Sequence, residues 1–393
     1  MKNIKKYITW QPVLTDHQAF TYEALAQVSG CPVLAYVSSM EDKVRKKQGW
    51  ADTTVNSIER ILLPKVGFLY YCYCRLKEER DCVHIFASPF QQPRIIVCMF
   101  IAVLLRNQFY LISEPYSPNT HGYLSESNRL LGRIKKILRP YLYRVYALIF
   151  RSHLSGIFAI SPLALAQYER AGVPRNKLFD FGYFVPRVNF SNSPQKKPIL
   201  NSKPQNVNKG LRLIFVGALI KRKGIDLLVD AVNILYQQGS PICLDIYGYS
   251  DKSIYEINNP AITYKGPIPF GGSQRVISEY DLLVLPSRYD GWGVVVNEAL
   301  CAGVPVITSD ATGAGVVACY LGAGLTFESE NLEALRDGLL MLIKTPKLLK
   351  SLQASTDSAR DALQPLNAGY YLNAIINSNN SSTNSIKSIW LGS

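Results

Sequence analysis

Two α/β domains, each a doubly wound parallel sheet, are the architecture this 393-residue sequence predicts. Three observations carry that expectation. Apolar runs of strand length alternate with helix-periodic segments in both halves of the chain. Between the halves, the span 189–210 (NFSNSPQKKPILNSKPQNVNKG) is rich in Asn, Ser, Pro and Lys, has little apolar periodicity, and reads as a linker. The stretch Asp281–Asp310, DLLVLPSRYDGWGVVVNEALCAGVPVITSD, reads as one complete strand–helix–strand unit. Its apolar strand Leu282–Leu285 meets a Pro-Ser turn and a Gly-flanked loop, Asp290-Gly291-Trp292-Gly293. A helix of about ten residues follows, and then a second strand, Val304–Thr308.

The other elements follow in order. Val33–Val37, Cys82–Ala87, Phe109–Ser113 and Gly156–Ile160 are apolar runs of strand length, with helical patterns such as Ala19–Gln27 and Pro93–Arg106 between them. Past the linker, strands are expected at Leu211–Val216, Ile242–Gly248, Ile262–Lys265, Leu282–Leu285 and Val304–Thr308. The helix Ile225–Leu235 is among those separating them. Boundaries are set at 1–190, 191–210 for the linker, 211–365 and 366–393, with a frayed Asn/Ser-rich tail from Ser378.

Apolar residues make up 48% of the chain and charged ones 18%, a globular balance that excludes a disordered chain. Eight cysteines, at 31, 72, 74, 82, 98, 243, 301 and 319, include no CxxC pair, and several lie in apolar runs. Buried free thiols of a reducing compartment explain them better than disulfides or a metal site. The first residues, MKNIKKYITWQP, hold too short an apolar stretch for a signal peptide, and the longest apolar run, Ile95–Leu105, is too short to span a bilayer. A cytoplasmic protein is expected, or one attached to the cytosolic face of a membrane.

The net charge of +14 is uneven: +12 lies in 1–190, four lysines and no acid in 191–210, and −2 in 211–393. A basic first half points to an anionic partner, either a membrane surface or nucleic acid. Neither an RNP-type aromatic motif nor a helix-turn-helix supports nucleic acid. Arg129–Arg151 interleaves Lys and Arg with Leu, Ile, Tyr and Phe, as an interfacial helix requires, and Pro140 is expected to split it in two.

Loops at the carboxyl ends of parallel strands bind ligands, and here two carboxylates, Asp290 and Glu298, flank a helix start. Acids there suit sugar hydroxyls better than a phosphate. Asp290, Gly291, Trp292, Gly293, Glu298, Ala299, Gly303, Pro305, Val306 and Ile307 fall in register with an acid, seven residues and a Glu, followed by a Gly-x-Pro-Val-Ile run. The segment resembles the donor-site signature of retaining glycosyltransferases of family 4, whose fold is GT-B with the active site between two domains. It departs from them at Asp290, where the family usually has Glu. The resemblance implies that Glu298 holds the two ribose hydroxyls of a nucleotide-diphosphate sugar and that Asp290 contacts the sugar. Backbone N–H groups of Trp292 and Gly293, beside Gly291, would touch the sugar. The turn Gly266-Pro267-Ile268 would line the base. Thr312-Gly313-Ala314-Gly315 either approaches the sugar or phosphates or is a simple strand-to-helix turn. The last helices of this fold cross back to the first domain, which Gly369–Ile376 would do.

A second match lies at Gly217-Ala218-Leu219-Ile220-Lys221-Arg222-Lys223-Gly224, after the strand Leu211–Val216. It resembles the family loop whose Arg and Lys bind the donor pyrophosphate. Lys223 and Gly224 match, Ala218 stands at the Arg position, and the guanidinium role passes to Arg222. A fixed cation there opposes the negative charge that builds on the leaving diphosphate. Neither a cofactor nor a metal is expected, since a DxD-type acidic pair is not evident and His17, His84, His121 and His153 are scattered.

Ser161, Gly172, Val173, Pro174 and Lys177 match a family run that marks the fold, whereas Phe181-Gly182-Tyr183-Phe184 replaces the usual Asn-Gly-Val-Asp. On the acceptor side, Asp16-His17-Gln18 is expected just before a helix, with His17 orienting or deprotonating a hydroxyl. Glu114 stands where many relatives have His, and His121 lies in a nearby loop. The catalytic candidates are therefore Asp290, Lys223, Arg222, His17 and Glu114. The donor-binding candidates are Gly217, Arg222, Lys223, Gly266, Ile268, Asp290, Gly291, Trp292, Gly293 and Glu298. The expected activity is retaining sugar transfer to a glycan or lipid-linked acceptor in bacterial cell-surface glycan synthesis. Two alternatives remain open: a GT-B epimerase or hydrolase of nucleotide sugars, and a non-catalytic nucleotide-sugar or nucleic-acid binder.

Overall fold

A computed structural model describes residues 4–41, 55, 57–87, 92–122, 129–188, 210–249, 259–378 and 386–390. The expected linker, 191–210, lies outside them apart from Gly210. The chain divides into two units, one running to Val185 and resuming at Leu363, the other from Pro186 to Ala362.

The first unit holds strands β1 (Tyr7–Gln11), β2 (Val33–Val37), β3 (Glu59–Leu62), β4 (Val83–Ala87), β5 (Phe109–Ser113), β6 (Leu154–Ile160) and β7 (Leu178–Phe181). They form one parallel sheet in the order β3-β2-β1-β4-β5-β6-β7. β1, β2 and β5 are buried at every residue; β2 is an unbroken apolar run and β5 is one up to Ser113, while Thr9 and Gln11 interrupt β1, which was not among the expected strands. β3 and β7 carry no such run: Glu59 and Leu62 are exposed at the sheet edge, and Asp180 interrupts β7.

Helices Phe68–Glu78, Pro93–Leu104 and Arg129–Phe150 share one core, in which Cys72, Leu76, Cys98, Met99, Tyr146 and Phe150 are buried. Arg129–Phe150 runs unbroken through Pro140, contrary to the expected split. Proline removes one backbone bond there, while Tyr143, Tyr146, Ala147 and Phe150 bury the following turns. Lys177 steadies the end of that helix, its Nζ donating to the carbonyls of Arg151 (2.9 Å) and Leu154 (2.7 Å).

The helix Asp16–Ser29 starts one residue after Thr15, whose N–H donates to the Gln18 side-chain oxygen (3.2 Å). Asp16-His17-Gln18 therefore forms the helix's first turn instead of preceding it, a correction that follows from this cap. The return helix, Pro365–Asn377, packs on Asp16–Ser29, and a Cβ on Gly369 would meet the Ala24 carbonyl carbon at 2.6 Å. The tail is not frayed throughout. Ile389 and Trp390 are buried, and the Trp390 indole N–H donates to the Phe181 carbonyl (3.0 Å).

The second unit holds β8 (Leu211–Val216), β9 (Ile242–Tyr247), β10 (Ile262–Gly266), β11 (Leu282–Leu285), β12 (Val306–Ser309) and β13 (Gly324–Phe327). These too are parallel, in the order β10-β9-β8-β11-β12-β13. Chain direction across the sheet reverses between β8 and β11, so the loops leaving these two neighbours diverge around a crevice. This topology sets the loop after β8, Gly217–Gly224, beside the loop after β11, Pro286–Gly293.

Candidate active site

Glycines allow the backbones at this crevice to approach one another. Gly224 has φ +68°, and a Cβ there would sit 1.9 Å from the Pro286 carbonyl oxygen. Gly248, after β9, has φ +154° and would bring a Cβ to 1.8 Å from the Gly217 oxygen, while its N–H donates to Gly266 (3.0 Å). Gly217 and Gly266 thus belong to one glycine-lined strip along the ends of β8, β9 and β10.

Within the crevice Lys223 Nζ donates to Asp290 Oδ2 at 2.5 Å, both side chains being largely buried. Arg222 sends Nη1 to the Tyr289 carbonyl (3.0 Å). Burial opposes ionisation of Asp290, but the charges of Lys223 and Arg222, the Lys223 hydrogen bond and the Trp292 N–H outweigh it and hold the carboxyl below its ordinary range. Two cations and one anion therefore stand together, leaving net positive charge.

Beside them starts the helix Val294–Cys301, without a side-chain cap, from Gly293 at φ +91°. A Cβ on Gly293 would meet Thr312 Cγ2 at 2.9 Å. Trp292 is buried and its indole N–H donates to Asn297 Oδ1 (2.8 Å), so its ring holds the loop from inside. The helix begins at Val294 and has eight residues, fewer than expected. Thr312–Gly315 enters a helix at Gly313. The first two amides of that helix are spent on the 290 loop: Gly313 N–H donates to the Asp290 carbonyl (3.3 Å) and Ala314 N–H to that of Trp292 (2.8 Å).

Glu298 occupies the second turn of Val294–Cys301 and meets Ser273. Burial pushes its carboxyl up to about 7, against a hydrogen bond from Ser273 that acts the other way. Ser273 opens the short helix Ser273–Ile277 that follows the Gly266–Ile268 turn. The structure thus brings Lys223, Arg222 and Asp290 together, and sets Glu298 with the segment leaving β10. Arg288 carries no signal of its own in the sequence. Nearly buried, it grips both Asp226 oxygens (2.7 and 2.8 Å), Glu330 (3.1 Å) and the Lys221 carbonyl (2.6 Å). It clamps the turn that aims Lys223. Lysine cannot reproduce that fork, so Arg288→Lys is expected to lower stability by about 2 kcal/mol in urea titration.

In the first unit, a cluster forms where β1, β5 and β7 end. Tyr183 donates its hydroxyl to Glu114 Oε1 (2.6 Å), and its ring meets the His17 ring edge-on with centroids 4.2 Å apart. His17 is buried, with Nε2 3.0 Å from Thr15 Oγ1. Glu114 and His17 are therefore joined through Tyr183, whose only trace in the sequence is its departure from the family pattern. His121 lies in a turn where its N–H donates to Asn119 Oδ1 (3.1 Å).

Residues 197–358 match the family model described as glycosyl transferases group 1. An uncharacterized glycosyltransferase of Methanocaldococcus jannaschii is 29% identical over 145 residues, covering 35% of this chain and 40% of that protein. The amylovoran biosynthesis glycosyltransferase AmsK of Erwinia amylovora is 26% identical over 153 residues, 35% of this chain and 38% of that one. The matches thus span about two fifths of either curated relative. The crystal structure of Anabaena HepE in complex with UDP superposes with a TM-score of 0.67 at 13% identity, covering 95% of this chain and all of that one. That likeness and the two parallel Rossmann-like sheets establish the fold as GT-B.

Proposed function

We propose that this protein is a metal-independent, retaining glycosyltransferase of family 4, which moves a sugar from a nucleoside-diphosphate donor to an acceptor hydroxyl in cell-surface glycan synthesis. The Lys223–Asp290 pair, set with Arg222 at the reversal point of the second sheet, is the observation that carries this reading. A diphosphate placed there meets two cations and the positive end of a helix. As the bond between the anomeric carbon and the phosphate oxygen breaks, those groups take up the developing charge. The acceptor oxygen bonds to the same face of that carbon, and its proton passes to the leaving phosphate. Asp290 orients Lys223 and reaches the sugar, Glu298 accepts from the vicinal ribose diol, and Gly266–Ile268 borders the base. The UDP of HepE and the role of AmsK in amylovoran synthesis support the donor class and the pathway type. In the first unit, Glu114 and His17, coupled through Tyr183, are assigned to the acceptor hydroxyl.

Incubation with nucleotide sugars, with and without glycan or lipid-linked acceptors, tests the assignment. Nucleoside diphosphate should be released faster with acceptor, and the product should keep the donor's anomeric configuration by NMR. Equal turnover of donor alone would instead mean a hydrolase, and an isomerised donor an epimerase.

Glu298 adds a pH signature. Holding a diol takes the ionised carboxylate, so donor affinity is expected to fall as pH drops below about 7. For folding the sign is opposite. A raised carboxyl favours the folded state below its unfolded range, and that contribution is lost as pH rises through about 7. Calorimetry of donor binding should give a flat, weak profile for Glu298→Gln, and its melting temperature should gain on the wild type between pH 5 and pH 8.

A further inference from the structure

The first unit carries an exposed apolar face that the sugar-transfer reading does not use. On the helix Arg129–Phe150, residues Ile134, Ile137, Leu138, Tyr141, Val145 and Leu148 are exposed, Ile137 at 63% and Leu148 at 62%. At 3.6 residues per turn these six side chains span an arc of roughly 100°, opposite the buried Tyr143, Tyr146 and Phe150. A helix that is apolar on both faces has two apolar environments to fill, and the core fills only one.

The face extends across neighbouring helices. Phe100 of Pro93–Leu104 meets Phe150 with ring centroids 5.1 Å apart, and Leu104, one turn further on, is 81% exposed. Phe68–Glu78 packs on Pro93–Leu104, the Arg94 guanidinium lying 4.8 Å from the Phe68 ring. It adds exposed Leu69, Tyr70 and Tyr73. Three helices with a common core thus offer apolar side chains to their surroundings.

Charge decides what covers this face. Neither Pro93–Leu104 nor Arg129–Phe150 contains an acidic residue, while the latter holds Arg129, Arg133, Lys135, Lys136, Arg139 and Arg144. Arg133 and Arg144 fall along one border of the apolar arc and Lys135 along the other, all exposed. A second copy would oppose like charge with like, since each chain carries +14. An acidic protein partner would satisfy the cations but supplies no reason for so broad an apolar arc. An anionic lipid leaflet satisfies both, with headgroups for the cations and acyl chains for the arc, and tyrosines such as Tyr70, Tyr73 and Tyr141 suit the boundary between them.

We infer that helices Phe68–Glu78, Pro93–Leu104 and Arg129–Phe150 form a docking face that lies in the headgroup region of an anionic membrane. No helix among the described residues is long and apolar enough to cross a membrane, so this attachment is to one leaflet. The inference stands apart from the donor-site reading and is tested without any sugar. The full chain is mixed with vesicles of phosphatidylcholine alone or with phosphatidylglycerol, and binding is measured by co-sedimentation. Binding should require phosphatidylglycerol and weaken at high salt. Tyr141→Glu/Val145→Glu/Leu148→Glu should reduce it at least tenfold with the melting temperature unchanged, and Lys135→Glu/Arg144→Glu should reduce it also. Failure to sediment with phosphatidylglycerol vesicles overturns the inference, as does sedimentation that the apolar triple variant leaves intact. A dimer in light scattering that the triple variant dissolves would assign the face to a second copy instead.

Discussion

Lys223→Ala is expected to reduce kcat by a factor on the order of 10² to 10³, the usual cost of losing one preorganised partner of a developing charge. In the proposed reaction the loss should fall on kcat more than on KM, because the interaction would strengthen as the diphosphate departs. Removing the ammonium also leaves Asp290 with Arg222 as its remaining cationic neighbour, so its carboxyl should move up from its depressed position. Lys223→Arg keeps the charge but not the 2.5 Å contact, and should fall between the two. Steady-state kinetics on folded variants decide the matter. A Lys223→Ala enzyme within twofold of wild type at saturating donor would remove the second unit's crevice from the reaction.

Gly224→Ala carries the largest expected cost in stability. The residue has φ +68°, and its added Cβ would lie 1.9 Å from the Pro286 oxygen, where backbone and not a movable side chain obstructs it. Left-handed strain costs about 1 to 2 kcal/mol and the overlap a further 1 to 3, so a loss of about 2 to 5 kcal/mol is expected in urea unfolding. Gly266→Ala supplies the comparison. Its φ is +78°, but nothing lies within 4 Å of the added atom, so it should show the strain alone, about 1 to 2 kcal/mol. Similar losses for the two would mean that the loop after β8 can withdraw from Pro286.

Lys223 and Asp290 lie 67 residues apart, and no local pattern links them. Each was legible alone because each lies in the loop that follows an apolar strand, Leu211–Val216 for Lys223 and Leu282–Leu285 for Asp290. Their pairing follows from β8 and β11 being neighbours, which strand order alone decides. Arg288 escaped notice because its partners, Asp226 and Glu330, lie 62 and 42 residues away. Tyr183 escaped because its hydroxyl bond to Glu114 spans 69 residues. Strands β3 and β13 were unreadable for another reason: they are partly exposed, where hydrophobic periodicity is weak, and in β7 Asp180 breaks a run of only four residues.

Local chemistry in the sequence by itself determined the parallel α/β class, the strand cores, the glycine-marked loops and the basic character of the first half. Apolar run length, glycine spacing and charge are properties of neighbours along the chain, and need no fold to be read. Only the tertiary structure decided that Asp290 answers to Lys223 while Glu298 faces Ser273, that Arg129–Phe150 continues through Pro140, and that its outer face stays uncovered. Those outcomes depend on which distant segments pack together, and packing is settled by the burial of the whole chain.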